Sequence, residues 1–402
     1  MGCIEKIDIV QIPFHDYKKW INEGFRTRDA HLFNEFKKNK DVNKILVINR
    51  PTSLAEAIIK RKKWKTKIDN VVIKRKFWQV IEIEKNVYCL DIFSFDFLKV
   101  IFERKKWWHN IFENKKIIKI INDALNLLDF KNKVLFLENP MATGLIGKIG
   151  EKKVVFDAID NWLFHPQMKS IHKLVEKNYE FLGSKADCIF TVSYNLCEYF
   201  KEMNLNTFWI SNGVDIEWFE DSIVDENEKR EKPVIGYMGK IQERVDFNII
   251  EECLKKIENN IMVIGPIYAQ KDKIKSLDKK YKNIEFTGDV HYEKLPKIMH
   301  EFDIAIIPHK VDKFTNSMSP LKIYEYLAAG KQIVMTPIAG KNEFSDYVYL
   351  ANTSDEFIKE IKEAIERYEK TPNISSKVKK VLKLENSWNY KAKQIVERIL
   401  NE

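Results

Sequence analysis

The segment NSMSPLKIYEYLAAGKQIV at 316–334 groups residue types that suit the recognition of a phosphate. Ser319 followed by Pro320 has the form of a helix start: a side chain able to cap, then a residue that needs no N–H. Gly330 has the form of a helix stop. The spacing predicts a helix from Pro320 to about Ala329, with Ser319 as its N-cap. The first amides of such a helix have no partner within it and carry the positive end of its dipole, which suits a phosphate or pyrophosphate. Lys322 in the first turn adds a point charge. Glu325, one turn further, can accept two hydrogen bonds, which suits a vicinal diol such as ribose. Asn316, Ser317, Met318 and Ser319 would form the loop ahead of the helix.

A second group is GYMGKIQERVD at 236–246. Gly239 ends a β-type run at a point where a backbone without Cβ can approach a ligand closely. Lys240 and Arg244 follow and can face an anion. The alternative is a glycine turn with solvated cations. Neither GxGxxG nor GxxxxGK[ST] occurs, so a dinucleotide fingerprint and a P-loop are unsupported. In the first half, Gly24, Arg26 and Arg28 lie in GFRTRDAHL and could steer an anionic acceptor or a donor phosphate, or simply decorate a helix start. Asp157 and Asp160 in FDAIDNW stand at a strand end, where a carboxylate can orient an acceptor hydroxyl or take its proton. Asp160 could equally cap the next helix. His109 and His165 are weaker candidates for the same task, and His291, after a TGD turn, has an exposed loop position as its alternative.

These residues need elements to hold them. Short apolar, β-branched runs recur at 44–51, 133–140, 154–160, 187–193, 232–239, 261–265, 284–290, 303–308 and 331–337. Most end in Gly, Pro, Asp or Asn, as buried parallel strands do where they pass into a loop. Amphipathic stretches such as 167–184, 246–259 and 320–329 lie between them. The alternation predicts α/β architecture with two doubly wound sheets. The charge-dense stretch EDSIVDENEKREKP at 220–233 reads as a connector or long surface loop. Ligands of such sheets bind beyond the carboxyl ends of the strands, so a site in a cleft between the two sheets is expected.

Composition narrows the class. The 402 residues are 45% apolar, 12% aromatic and 32% charged, which excludes a mainly disordered chain and allows two domains. No window approaches a membrane-spanning helix, the N-terminus lacks a signal-peptide core, and five scattered cysteines without a CxxC pair suit a reducing cytoplasm. The net charge of +9 is lopsided: residues 1–205 hold 37 Lys+Arg against 26 Asp+Glu, whereas 206–402 hold 31 against 33. KRKKWK (60–65), KRKFW (74–78) and RKKWWH (104–109) join cations to aromatic rings. That mixture suits an anionic membrane surface, with Trp at headgroup depth. Nucleic acid is not expected as a partner. The bland alternative is a solvated face in a lysine-rich chain, since Lys outnumbers Arg 58 to 10.

SNGVD (211–215), GYMGKI (236–241) and SPLKIYEYLAAGKQIV (319–334) resemble glycosyltransferases of the GT-B fold, in the group around glycosyltransferase family 4 that builds bacterial polysaccharides, including teichuronic-acid-type enzymes. The resemblance implies two Rossmann-like domains facing a central cleft: 1–206 for the acceptor, 207–378 for the nucleotide sugar, and 379–402 as a helix crossing back to the first domain. Gly239 and Lys240 match the loop beside the donor diphosphate. Glu325 matches the second glutamate of the family's paired-glutamate motif, while Ser317 stands where the first would be. Val290 and His291 match a position that borders the base. The implied activity is a retaining, metal-independent transfer of a hexosyl unit from a UDP- or GDP-sugar to a glycan or lipid-linked acceptor, without cofactor, at the cytoplasmic face of the plasma membrane. Lys240, with Arg244, Lys322 and the helix start, would stabilise the leaving diphosphate. An epimerase on the same fold and a non-catalytic nucleotide-sugar- or glycan-binding subunit are the rival readings.

Overall fold

The computed structural model describes residues 5–222, 229–340, 343–371 and 376–401. Residues 1–4, with Cys3, and residues 223–228 of the expected connector lie outside the described residues. The chain divides into two compact units, Met1–Ile210 with Ala392–Glu402, and Ser211–Lys391.

The first unit is built on a sheet of ten strands. In chain order these are β1 (Ile7–Ile12), β2 (Val42–Ile48), β3 (Thr52–Ser53), β4 (Val71–Lys74), β5 (Trp78–Glu84), β6 (Val87–Ser94), β7 (Lys133–Leu137), β8 (Lys153–Ala158), β9 (Cys188–Thr191) and β10 (Thr207–Trp209). The spatial order is β10-β9-β8-β7-β1-β2-β6-β5-β4, with β3 paired to β6. The pairs from β10 to β6 are parallel, whereas β5 pairs antiparallel with both β6 and β4. Continuous runs such as Ile45–Ile48 and Val134–Leu137 are buried on both faces, as parallel strands covered by helices must be. β1 runs one way to β2 and the other to β7, so its carboxyl end lies at the topological switch point.

The second unit holds six parallel strands, β11 (Ile235–Met238), β12 (Ile261–Ile264), β13 (Ile284–Gly288), β14 (Ile304–Ile307), β15 (Gln332–Met335) and β16 (Val348–Leu350), in the order β13-β12-β11-β14-β15-β16. This is the doubly wound order with its switch point between β11 and β14. One core lies on each face of that sheet, one built on Phe302, Ile323, Tyr326 and Leu327, the other on Phe247, Ile250, Ile361 and Phe357.

The division differs from the expected boundaries. β10 belongs to the first unit, so the chain passes over after Ile210. The helix Ser376–Glu385 belongs to the second unit, and only from Ala392 does the last helix, Trp388–Asn401, join the first. Among the described residues, no helix is long and apolar enough to cross a membrane.

Candidate functional site

In the second unit the strand ends close on backbone alone. Gly239, directly after β11, has φ +144° and donates its N–H to Ile264 O at 2.8 Å. Gly265, after β12, has φ +136°, and a Cβ there would stand 2.1 Å from Gly239 O. The chain then runs across the switch point: Asp246 N–H bonds Pro308 O at 2.7 Å and Lys310 N–H bonds Arg244 O at 2.8 Å. Arg244 is thereby carried to the end of β14.

The helix Leu321–Ala328 ends at Gly330, which has φ +73°, as the sequence suggests. Its start differs from expectation. Pro320, with ψ 109°, is the N-cap, and no side chain caps the helix. Ser319 is not the cap. Its Oγ lies 3.3 Å from the Tyr324 hydroxyl and accepts from Asn212 N–H at 3.3 Å. The leading amides are thus left without a side-chain acceptor, the condition an anion site requires.

Lys322 fills the space that Gly239 leaves: a Cβ on Gly239 would lie 2.8 Å from Lys322 Nζ. The ammonium is 3.4 Å from the Tyr237 hydroxyl and 4.8 Å from the centre of its ring. Burial, helped by the nearby Arg244, pulls its pKa from 10.5 to about 7, against the pull of Glu325. The Tyr237 hydroxyl is also 3.3 Å from His309 Nε2. Burial, with Lys322 and Arg244 close by, holds His309 well below its ordinary range, so the ring is neutral. Arg244 reaches Met318 Sδ at 4.0 Å, and its Nε is buried with no hydrogen-bond partner. Cationic groups thus gather around one glycine turn.

Glu325 is 7% exposed and accepts from the buried Tyr292 hydroxyl. His291, next to Tyr292, is about one-third exposed, with Nδ1 3.5 Å from Glu293. Lys240 is half-buried, and its carbonyl is 3.4 Å from the Tyr237 hydroxyl. Asn316 closes a turn on Asp312 O at 2.9 Å. Ser317 is buried, its hydroxyl 2.9 Å from Lys313 O and 3.0 Å from Phe314 O, so it is committed to its own turn. The structure therefore brings Gly239, Lys240, Arg244, Met318, Lys322 and Glu325 together, and leaves Ser317 with a structural task.

The first unit rearranges the expected roles. Gly24 ends the helix Tyr17–Glu23 with φ +77°, and Arg26 pairs with Glu23 at 2.9 Å. Arg28 and Asp157, read separately in the sequence, form a bidentate pair at 2.8 and 2.9 Å. They are 3% and 0% exposed. Each satisfies the other, which corrects their reading as an acceptor-steering cation and a proton acceptor. Asp160 accepts from Asn161 N–H at 2.9 Å and does not cap the next helical turn; His165 does, through Nδ1 at 3.1 Å from Gln167 N. His109 is held by Thr143 and Asn178 at 3.4 and 3.3 Å.

One pair escapes the sequence reading. His15, three residues past β1, places Nδ1 3.1 Å from Asp29 Oδ2, and its N–H donates to the same oxygen at 2.9 Å. The Thr27 hydroxyl and Ala30 N–H also donate to Asp29. Burial alone would raise the Asp29 pKa; His15 and these hydrogen bonds instead hold it below its ordinary value. A buried carboxylate fixing one nitrogen of a partly exposed imidazole orients the ring for proton transfer at the other nitrogen. Beside it, Phe14 stacks on Trp162 at 4.0 Å, and Arg50 covers Trp108 at 4.8 Å. An apolar strand followed by histidine, with an acid in the next helix start, is the signal that would have found the pair.

Residues 232–367 match the family Glycosyl transferases group 1. A Bacillus subtilis (strain 168) protein provisionally named teichuronic acid biosynthesis glycosyltransferase TuaH is 31% identical over 149 residues, covering 35% of this chain and 37% of that protein. The match spans little more than a third of that relative's length. Sucrose-phosphate synthase from Thermosynechococcus elongatus has a TM-score of 0.67 at 11% identity, covering 98% of this chain and 99% of the other. Anabaena Alr3699/HepE in complex with UDP-glucose has 0.66 at 14%, covering 98% and 100%. The catalytic domain of Starch Synthase IV from Arabidopsis thaliana, bound to ADP and acarbose, has 0.63 at 11%, covering 99% of each. The fold is GT-B.

Proposed function

We propose that this protein is a glycosyltransferase that moves a hexosyl unit from a nucleotide-diphosphate sugar, with UDP or GDP as nucleotide, to a glycan or lipid-linked acceptor in cell-surface polysaccharide synthesis. The observation that carries this reading is the cationic turn of the second unit: Lys322 seated against Gly239, with Arg244 beside it and an uncapped helix start adjoining it. A diphosphate suits such a group in charge and in hydrogen-bond donors. The names of the B. subtilis relative and of the UDP-glucose complex support the polysaccharide and UDP-sugar classes.

In this reading Glu325 receives the ribose hydroxyls, and His291 borders the base. Lys240, Arg244, Lys322 and the helix amides hold the diphosphate as charge builds on it, each such donor contributing about 3 kcal/mol at the transition state. The acceptor oxygen forms its bond to the sugar C1 as the bond from C1 to the diphosphate oxygen breaks. Its proton leaves on the departing diphosphate oxygen, and within the first unit His15, oriented by Asp29, is an imidazole placed to move a proton. Retention of configuration rests on the family resemblance, and NMR of the product anomer reads it. Activity is expected to persist in EDTA, with no cofactor. The buried free thiols Cys89, Cys188, Cys197 and Cys253 suit a cytoplasmic setting.

Calorimetric titration with UDP and GDP tests the donor site. Glu325→Ala should weaken the preferred nucleotide about tenfold or more. Unchanged affinity would put the nucleotide elsewhere. A binding subunit without activity is favoured by one observation, the commitment of Ser317 to its own turn, and hydrolysis of the nucleotide sugar by wild type but not by Lys322→Ala would dismiss it.

A further inference from the structure

The stretch 58–106 carries fourteen Lys+Arg against six Asp+Glu, close to the whole net charge of the chain. The structure corrects the sequence reading of its aromatic residues: Trp78 and Trp107 are core residues, 8% and 1% exposed, and cannot reach a headgroup layer. What the surface shows instead is aliphatic and phenylalanine side chains. The helix Leu54–Ile59 ends on Ile58 and Ile59, exposed by 61% and 64%. The helix Leu98–Glu103, which packs beside it, presents Leu98 and Phe102, exposed by 64% and 80%, together with the exposed Ile101. Phe95, just ahead, is exposed and meets Phe77 of the β4–β5 turn edge-on at 4.6 Å. Exposed cations rim these groups from each element: Lys60, Arg61 and Lys63 after the first helix, Arg75 and Lys76 in the turn, Lys99 and Arg104 on the second helix and just after it. Two of the six acids are committed elsewhere. Asp91 is buried, and Asp96 accepts from Trp107 Nε1 at 2.9 Å.

We propose that this face docks on an anionic lipid bilayer, with Ile58, Ile59, Leu98, Ile101 and Phe102 entering the interfacial layer and the lysine rim meeting lipid phosphates. A second copy of the chain is the poorer occupant, because it would set one dense cluster of cations against another. A bilayer offers an apolar interior beneath anions, which matches large apolar side chains ringed by lysines. Neither the donor turn nor the His15–Asp29 pair contributes a residue to this face, so the inference stands apart from the proposed reaction.

The test is cosedimentation of the full chain with vesicles of phosphatidylcholine alone and of phosphatidylcholine with phosphatidylglycerol. Binding to the anionic vesicles is expected, weakening as salt rises. Leu98→Ser/Phe102→Ser and, separately, Lys60→Glu/Arg61→Glu/Lys63→Glu should each lower the vesicle partition coefficient about tenfold. These positions are exposed, so the variants should keep the wild-type melting temperature, and nucleotide affinity serves as a second check on folding. Equal binding to neutral vesicles, no binding to either, or a dimer in sedimentation velocity that the same substitutions dissolve would each overturn the proposal.

Discussion

Lys322 sits where burial and the nearby Arg244 oppose its charge, and only Glu325 favours it. A diphosphate would supply the missing counter-charge and draw a proton onto the amine. Nucleotide affinity should therefore fall as pH rises from about 6 to about 9, and binding near neutrality should take up a proton, seen as a titration heat that depends on the buffer. Lys322→Arg, charged throughout, should flatten that profile; a profile unchanged in the variant would show that another group titrates. The sign for stability is the reverse of the usual lysine case. Between about 7 and 10.5 the unfolded chain binds the proton and the native chain does not, so this residue costs most below pH 7 and the cost fades as pH rises toward 10.5. Lys322 and Glu325 were legible because three residues on one helix keep their neighbourhood. Arg28 and Asp157, 129 positions apart, were legible only as residue types, and their pairing required the fold. Arg28→Ala should strand a buried carboxylate and cost about 3–5 kcal/mol by chemical denaturation, while Arg28→Met/Asp157→Leu should cost much less. Equal losses would mean that the pair is not what stabilises this position.

Strand ends place both sets of groups, and what can be read of a strand depends on its polar residues. β11, β12, β14 and β15 are short, largely apolar runs stopped by Gly, Pro or Thr, and they stand out. β1 did not stand out because Asp8 and Gln11 interrupt it, yet both are buried. Asp8 accepts from Asn43 at 2.8 Å and from Lys131 N–H at 2.7 Å, and Gln11 donates to Glu138 at 2.8 Å. With the strand unmarked, nothing in the sequence singles out His15. β4 and β5 were hidden among cations that read as surface clusters. At the other switch point the decisive feature is the backbone contact of Gly265 with Gly239. Gly265→Ala would force a methyl onto a carbonyl oxygen 2.1 Å away, at a φ that alanine resists. The β11 end must then move and carry Lys240 with it. Nucleotide affinity should fall at least tenfold with a lowered melting temperature, whereas Gly288→Ala, where a Cβ meets nothing within 4 Å, should leave affinity unchanged. Equal effects would mean that backbone strain, not the Gly239 contact, governs the loop.

Over the whole molecule the chain leaves the first unit after Ile210 and rejoins it at Ala392. Within the second unit the two passages are bonded to each other. Lys391 Nζ donates to Ser211 Oγ at 3.1 Å, Ser211 to Glu343 at 3.0 Å, and Val214 N–H to Asn386 O at 2.8 Å. Tyr324, on the helix that opens the donor turn, also donates to Glu343. The final turns are a true part of the first unit: Ala392, Ile395, Val396 and Ile399 are at most 2% exposed. Ile399 O accepts from Lys153 at the start of β8, and the Arg398 guanidinium lies 4.3 Å from the Phe208 ring centre in β10. Burial of those four side chains is worth on the order of 5 kcal/mol. A chain ending at Lys391 should therefore lose amide-exchange protection along β8 to β10, while β11 to β14 and nucleotide affinity hold. If exchange in β8 to β10 stayed slow, the last helix would be a dispensable cover. If protection vanished in both sheets at once, the two units would unfold as one.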